Sequence, residues 1–279
     1  MHIQNKKITI IGLGIIGGSY AKGLSQKGYT VYGVDKSQEV IEYAIDNKFI
    51  SAGSLDPADF VPHSDIVVIG LYPEAIIPYL KEHKHLFNNH QVVTDVCGVK
   101  QSICQNATLI LENAYFVGSH PMAGREKVGI KYADETIFKG ANFLICPIEG
   151  TSSKALDIVK ELASDLEFGA IYEISPAFHD EMIAYTSQLT HAMAVSLVNS
   201  QTNQEAFKFV GDSYRDLTRI AMINEKLWSQ LFLENKHALI DQIDLFVDEL
   251  LAIKKAIEND DSQLLKEKFI SSKKKREVM

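Results

Sequence analysis

The stretch that decides the fold lies near the start of the chain and reads Gly12-Leu13-Gly14-Ile15-Ile16-Gly17. A β-branched run precedes it and a helical stretch follows it, so the glycines are expected in a strand-to-helix turn. There the first glycine permits the tight turn, the second lets a pyrophosphate approach the backbone, and the third lets helix and strand pack closely. Because the helix N-terminus also offers free N–H groups to phosphates, the motif predicts a dinucleotide site.

The second predicted strand ends at Val34-Asp35, about where a ribose-binding carboxylate belongs. Asp35 would accept a hydrogen bond from the adenosine 2′-hydroxyl and would repel a 2′-phosphate. NAD is therefore predicted as the cofactor in preference to NADP, although the neighbouring Lys36 weakens that preference. The alternative is a glycine-rich structural turn with Asp35 as a solvated strand end.

Short β-branched runs alternate with helical stretches through the first half of the chain. Strands are predicted at residues 7–11, 29–34, 65–70, 91–95, 115–118, 142–146 and 170–174, and helices include 14–27, 37–47 and 153–166. The near-continuous apolar character of the runs suits strands buried on both faces of a parallel sheet. The alternation predicts an N-terminal, Rossmann-type, doubly wound α/β domain.

Beyond Pro176 the strand-like runs stop and helical patterns continue. An apolar stripe at helical spacing comprises Ile240, Ile243, Val247, Leu250 and Ile257. We expect a dinucleotide-binding domain at residues 1–174 and an all-helical substrate-binding and dimerisation domain at 175–279. Because the helical half is thin and apolar, a homodimer is expected to share its core. The basic run 271–276 is expected to be a solvated, frayed tail.

Composition and charge exclude several classes of function. The formal net charge of −8 disfavours nucleic-acid and anionic-membrane partners, both of which reward a basic surface. Three cysteines without CxxC spacing indicate reduced thiols, and the pair His83 and His85 lacks a third metal ligand, so no metal site is expected. Glycines interrupt the apolar N-terminal run, and no segment has the length of a membrane span. A soluble, cytoplasmic protein is expected.

A second informative segment follows the strand predicted at 115–118 and reads Ser119-His120-Pro121-Met122-Ala123-Gly124-Arg125. Its position places it at the carboxyl edge of the sheet, where ligands of open α/β sheets bind. Pro121 holds His120 in an extended conformation, and Gly124 suits a sharp turn after it. His120 is therefore predicted to accept a hydroxyl proton while hydride leaves the same carbon.

Two further stretches complete a pattern along the chain, and they read Asp95-Val96-Cys97-Gly98-Val99-Lys100 and Arg215-Asp216-Leu217-Thr218-Arg219-Ile220-Ala221. With the glycine loop and the histidine segment, their order and spacing resemble those of the prephenate and arogenate dehydrogenases over essentially the whole chain. The resemblance implies NAD-dependent oxidative decarboxylation of prephenate to 4-hydroxyphenylpyruvate in tyrosine biosynthesis. It also implies a helical second domain that dimerises.

The resemblance implies roles for individual side chains. His120 would be the catalytic base, Arg219 would grip a substrate carboxylate with its bidentate guanidinium, and His191 would face the substrate. Asp216 would orient Arg219 from three residues away on a helix. The predicted substrate-binding residues are Ser119, Arg125, His191, Asp216 and Arg219. The alternatives are a surface ion pair of Arg219 with Asp216 and a buried structural role for His191.

Some positions depart from the family pattern. Gly98 stands where several relatives carry serine, Gln188 where some carry histidine, and Arg125 where a small hydroxyl residue is common. These departures leave the choice between prephenate and arogenate open. Trp228, the one tryptophan of the chain, is expected in the core or at the dimer interface.

Two other functions compete with this interpretation. A β-hydroxyacid dehydrogenase usually carries a catalytic lysine in its helical half, but residues 190–200 contain no lysine. A non-catalytic NAD sensor would keep the cleft for regulation, and the presence of both His120 and Arg219 speaks against it.

Overall fold

The computed structural model describes residues 6–124 and 127–278. The strands are β1 Lys7–Ile11, β2 Thr30–Val34, β3 Ala52–Ser54, β4 Ile66–Ile69, β5 Val92–Asp95, β6 Tyr115–Pro121, β7 Asn142–Cys146 and β8 Ala170–Glu173. The helices are α1 Ile15–Gln26, α2 Gln38–Asp46, α3 Pro73–His83, α4 Gln101–Ile110, α5 Ser153–Asp165, α6 Pro176–Ile183, α7 Leu189–Asn199, α8 Asp212–Thr218, α9 Glu225–Glu234, α10 Lys236–Glu258 and α11 Ser262–Arg276. A π-helical turn, Ala184–Gln188, joins α6 to α7.

The eight strands form one sheet in the order β3-β2-β1-β4-β5-β6-β7-β8. Neighbours pair in parallel except β6 and β7, which are antiparallel. The predicted doubly wound α/β fold is confirmed. Two details differ from the prediction: the short β3 was not expected, and β6 continues to Pro121 because residues 119–121 pair with β7.

Side chains alternate between two buried apolar layers, one on each face of the sheet. In β4, Ile66 and Val68 pack in one layer, and Val67 and Ile69 pack in the other. This alternation is the period of two that a strand imposes, and both faces are apolar because helices cover both. Burial on both faces therefore explains the uninterrupted apolar runs of the sequence.

The strand order reverses at β1, which lies between β2 and β4. The turn after β1 and the turn after β4 meet there, because a Cβ added at Gly12 would stand 2.6 Å from the carbonyl oxygen of Gly70. Reversal of the strand order separates the connections on either side and opens a crevice at the carboxyl edge. The topology thus creates a ligand crevice next to the glycine turn.

The chain divides into two compact units, Met1–Asn235 and Lys236–Met279. The first unit contains α6 to α9 together with the sheet, and α9 packs against α3 within it. The boundary predicted between residues 174 and 175, where strands give way to helices, remains a prediction of domain organisation.

The second unit consists of α10 and α11. The stripe residues Ile240, Val247, Leu250 and Ile257 on α10 are exposed in the single chain, and Ile243 is half-buried. The basic run 271–276 is solvated as expected, but it is not frayed, because α11 continues through Arg276. Asp261 caps the start of that helix, and cations in its last turn interact favourably with the helix dipole. In residues 6–124 and 127–278, no helix has both the length and the apolar character needed to span a membrane.

Candidate active site

A cavity of about 780 Å³ lies along the carboxyl edge of β1, β4, β5 and β6. The turns after these four strands form one side of it, and residues from the π-helical turn through α9 form the other. Among the described residues, the lining includes 14–17, 70–73, 96–98, 120–124, 187–188, 191, 219–220, 222–225, 227–228 and 231. All of them belong to the first compact unit.

The three glycines of the turn after β1 have different environments. Gly12 has a φ of +87°, a conformation that L side chains rarely adopt. A Cβ at Gly17 would stand 2.0 Å from the carbonyl oxygen of Gly12, so the helix start and the turn are in direct contact. A Cβ at Gly14 would meet nothing within 4 Å, and Gly14 lines the cavity at the N-terminus of α1. The turn thus leaves an open cradle beside free helical N–H groups, which fits a dinucleotide pyrophosphate.

Asp35 stands behind this turn. Its two carboxylate oxygens accept hydrogen bonds from the backbone N–H groups of Leu13, at 2.8 Å, and Ser37, at 3.0 Å. Gly14, Ile15, Ile16 and Gly17 line the cavity, whereas Gly12, Leu13 and Asp35 shape the turn beside it. Asp35 is partly exposed, and its oxygens have further lone pairs with which to accept hydroxyl groups of a ribose.

His120 lies near the end of β6, where it pairs with Leu144 of β7 and lines the cavity. Its Nδ1 is 2.9 Å from Nε2 of His179 on α6, and Nδ1 of His179 is 2.7 Å from Oδ1 of Asp180. Burial, His179 and the nearby Lys100 lower the pKa of His120 well below its usual value. The imidazole is therefore neutral at neutral pH and able to accept a proton.

A buried ion pair supports the loop beside His120. The Lys100 ammonium donates to the Asp95 carboxylate, and both side chains are fully buried. The prediction that Ser119 contacts substrate is wrong. Ser119 is completely buried, its hydroxyl donates to the Asp95 carbonyl at 2.6 Å, and its N–H donates to Asp95 Oδ1 at 3.1 Å. Alternation along β6 turns Ser119 inward and His120 to the cavity.

His191 lines the opposite side of the cavity. Its Nδ1 is 2.8 Å from the Ser187 carbonyl, so this nitrogen carries a proton and donates. Its ring stacks on the indole of Trp228, with ring centroids 3.6 Å apart and planes inclined by 26°. Trp228 packs against the apolar core, which agrees with the expectation of a core position, and this half-buried residue also lines the cavity and holds the imidazole of His191.

Arg219 stands at the start of the 3₁₀ turn Arg219–Ala221, is exposed, and lines the cavity. Asp216 is exposed on α8 and is not among the described residues that line the cavity. Arg125 lies outside the described residues. The structure therefore brings Arg219 and His191 to the same cavity as His120, but Asp216 lies outside that cavity.

Two of the positions that depart from the family pattern, Gly98 and Gln188, also lie at this cavity. Gly98 lines the cavity, and a Cβ there would stand 3.7 Å from Nε2 of His120. Gln188 is buried in the π-helical turn, donates to the Leu231 carbonyl at 2.9 Å, and accepts from Asn235 at 2.9 Å. Single π-helical turns inside helices are frequent at functional sites.

Sequence reasoning missed His179, Asp180, Tyr72 and Asn224. The side-chain amide of Asn224 donates to the Tyr72 hydroxyl at 3.2 Å, and both residues line the cavity. The sequence did indicate where α6 begins, because Ser175 caps that helix and Pro176 follows it. Nothing local indicates that His179 reaches a residue 59 positions earlier.

Other chemistry at the cavity is disfavoured. Cys97 lines it, but burial raises the pKa of this thiol to about 12, so it is not a thiolate nucleophile at neutral pH. Within the described part of the chain, no group of three or more histidine, cysteine, aspartate or glutamate side chains is arranged to hold a metal ion. The cavity therefore combines a dinucleotide cradle with a neutral histidine imidazole.

Comparison with known families agrees with this architecture. Residues 20–171 match the family model described as the nucleotide-binding domain of prephenate dehydrogenase. Residues 175–271 match the model described as the prephenate dehydrogenase dimerization domain. The chain belongs to the prephenate dehydrogenase family.

Individual relatives cover nearly the whole chain. The chain is 30% identical to the prephenate dehydrogenase of Bacillus subtilis, over 99% of its own length and 77% of that protein. It is similar to the crystal structure of Aquifex aeolicus prephenate dehydrogenase in complex with hydroxyphenyl propionate and NAD+, at 30% identity, a TM-score of 0.88 and 98% coverage of both chains. It is also similar to Synechocystis arogenate dehydrogenase, at 25% identity and a TM-score of 0.84, over 98% of this chain and 99% of that one.

Proposed function

We propose that this chain is an NAD-dependent prephenate dehydrogenase that oxidatively decarboxylates prephenate to 4-hydroxyphenylpyruvate. The observation that carries the proposal is the neutral His120 imidazole, which lines the same cavity as the open cradle at Gly14. A relative bound to NAD+ and hydroxyphenyl propionate supports this combination of cofactor and aromatic ligand.

Residues of the glycine turn would hold the cofactor. Backbone N–H groups at the start of α1 would bind the pyrophosphate next to Gly14, and Asp35 would accept from the adenosine ribose. When bound, NAD supplies the hydride acceptor. The protein contributes the positions of these groups and the exclusion of a 2′-phosphate by the Asp35 carboxylate.

His120 would serve as the general base for the ring hydroxyl of prephenate. As the C–H bond at the hydroxyl-bearing carbon breaks with loss of hydride, the O–H proton passes to His120 and a carbonyl forms. The bond between the ring and its carboxylate then breaks, carbon dioxide leaves, and its electron pair enters the ring to give a phenolate. Protonated His120 can return its proton to this phenolate, so the step needs no other acid.

Binding of the substrate carboxylates would fall to side chains on the other side of the cavity. Arg219 would bind a carboxylate through its guanidinium, and His191 would contact the substrate with its ring held by Trp228. Among the described lining residues the formally charged side chains are Lys127, Arg219 and Glu225. This excess of positive charge favours prephenate, which has two carboxylates and no ammonium group.

The decisive experiment mixes purified protein with NAD and either prephenate or arogenate and follows the absorbance of the reduced cofactor. Reduction with prephenate, lost in His120→Asn, supports the proposal. Faster reduction with arogenate would identify an arogenate dehydrogenase, with Glu225 as the candidate partner of the ammonium group. Binding of NAD without reduction by either compound would indicate a sensor and overturn the proposal.

The enzyme is also proposed to be a homodimer formed through its helical half. The exposed apolar stripe of α10 and the match of residues 175–271 to a dimerization domain support this assembly. Light scattering at micromolar concentration should give twice the chain mass. Leu250→Asp should shift the equilibrium toward monomer, whereas Asp248→Asn on the same helix should not. A monomeric native protein would contradict the assembly.

A further inference from the structure

His179 and Asp180 on α6 reach the base from behind the cavity. His179 is fully buried and Asp180 nearly so, and neither is among the described residues that line the cavity. The chain of hydrogen bonds runs from His120 Nδ1 to His179 Nε2 and from His179 Nδ1 to Asp180 Oδ1. Two buried titratable groups are thus connected in series to the side chain that performs the chemistry.

The backbone sets the direction of these hydrogen bonds. Asp180 Oδ1 accepts from the Lys100 N–H at 2.8 Å, and Oδ2 accepts from the Gln101 N–H at 2.9 Å, at the start of α4. Backbone N–H groups can only donate, so both Asp180 oxygens act as acceptors. Asp180 is therefore the acceptor toward His179, whose Nδ1 carries the proton.

The proton on Nδ1 of His179 decides the tautomer of His120. Burial lowers the pKa of His179, so its ring is neutral and Nε2 has a lone pair. Nε2 must then accept from Nδ1–H of His120. Because a neutral imidazole has one proton, Nε2 of His120 has the lone pair.

That lone pair lies on the side where it is needed. Nε2 of His120 is 3.7 Å from the position that a Cβ on Gly98 would take, and Gly98 lines the cavity. Because Gly98 has only a hydrogen atom as its side chain, Nε2 of His120 can be approached from the side of Gly98. The neighbour nearest to the hypothetical Cβ of Gly98 is Leu231, whose Cδ2 would be 3.2 Å away.

We propose that His179 and Asp180 are positioning residues that hold His120 as its Nδ1–H tautomer, with Nε2 presented to substrate, and that stabilise the imidazolium formed by proton transfer. This rests on the proposed role of His120 as the base. A histidine base oriented by a buried carboxylate is a recurrent catalytic arrangement, and here a second imidazole stands between the two groups. The two backbone N–H groups that donate to Asp180 fix its carboxylate in the position where it accepts from His179.

The tautomers can be measured directly and without substrate. Long-range ¹H–¹⁵N correlation spectra of wild-type enzyme with ¹⁵N-labelled histidine, recorded near pH 7.5, distinguish protonated from unprotonated ring nitrogens. Signals of the two residues are assigned by their loss in His120→Asn and His179→Gln. We expect Nδ1–H with an unprotonated Nε2 for both rings. An Nε2–H tautomer of His120 would overturn the proposal while leaving the dehydrogenase function standing.

Kinetics provide the second test. His179→Gln removes the acceptor for His120 Nδ1–H, so kcat should fall about 10- to 1,000-fold, within the range of general-base effects. The KM for prephenate should change less than about threefold, because the substrate contacts remain. His83→Gln, the same substitution on α3 outside the cavity lining, is the matched control and should match wild type. A folded His179→Gln enzyme with kcat within twofold of wild type would refute the positioning role. If that variant does not fold, the His120 signals of the wild-type spectrum, assigned by their loss in His120→Asn, decide.

Discussion

Adding one methyl group at Gly17 and, separately, at Gly14 tests the two functions of the glycine turn. At Gly17 the new Cβ would stand 2.0 Å from the carbonyl oxygen of Gly12, whereas real Cβ contacts below 3.0 Å are essentially never seen. The turn and the start of α1 must therefore separate by about 1 Å. At Gly14 the new Cβ meets nothing within 4 Å, and its φ of −70° suits alanine.

The two variants should differ in stability. Overpacking of this kind typically costs about 1–3 kcal/mol, which corresponds to a decrease in Tm of roughly 2–12 °C for a chain of this size. Gly17→Ala should show that decrease. Gly14→Ala should stay within about 0.5 kcal/mol of wild type, as substitutions without close contacts do. Differential scanning calorimetry of both variants measures the difference.

The variant that keeps its stability should be the one that loses affinity for the cofactor. Gly14→Ala is expected to raise the Kd for NAD about tenfold or more without loss of stability, because the methyl group occupies the cradle beside the helix N-terminus. Isothermal titration calorimetry gives that Kd. Wild-type affinity in Gly14→Ala would refute the assignment of the cradle, and an unchanged Tm in Gly17→Ala would refute the packing argument.

Three further substitutions test the remaining roles. His120→Asn should lower kcat by about 10²–10⁴-fold with little change in KM. In wild type the base must be neutral, so activity should be lost as pH falls. The midpoint of that loss should lie below pH 6.5, because burial, His179 and Lys100 lower the pKa of His120. A variant with near-normal kcat and the same loss of activity at acid pH would show that His120 is structural. Asp35→Ser should raise the ratio of kcat/KM for NADP to that for NAD by about tenfold or more, since a like charge facing the 2′-phosphate is removed; a wild-type preference for NADP would contradict this. Arg219→Ala should raise the KM for prephenate by about 10- to 100-fold, the value of a hydrogen bond to a charged group, with a smaller effect on kcat; an unchanged KM would exclude Arg219 as the carboxylate ligand.

The sequence by itself determined the elements and the edge of the sheet at which the cavity lies. Strand, glycine turn and helix are neighbours along the chain, so the contacts that specify them are local. His120 follows the strand predicted at residues 115–118, and the carboxyl ends of parallel strands lie at the same edge of a sheet, so it was expected at the edge that carries the glycine turn. The cradle at Gly14 and the cavity position of His120 could therefore be predicted.

Only the tertiary structure decided which side chains meet. Ser119 points inward because antiparallel pairing with β7 extends β6 past residue 118. The sequence could not show this, because a buried strand has the same apolar pattern whether its neighbour is parallel or antiparallel. The stacking of Trp228 on His191 and the bond from His179 to His120 join separate elements. Such pairs depend on how each helix is rotated and packed, and a periodic pattern specifies the buried face of a helix but not the side chain it will touch.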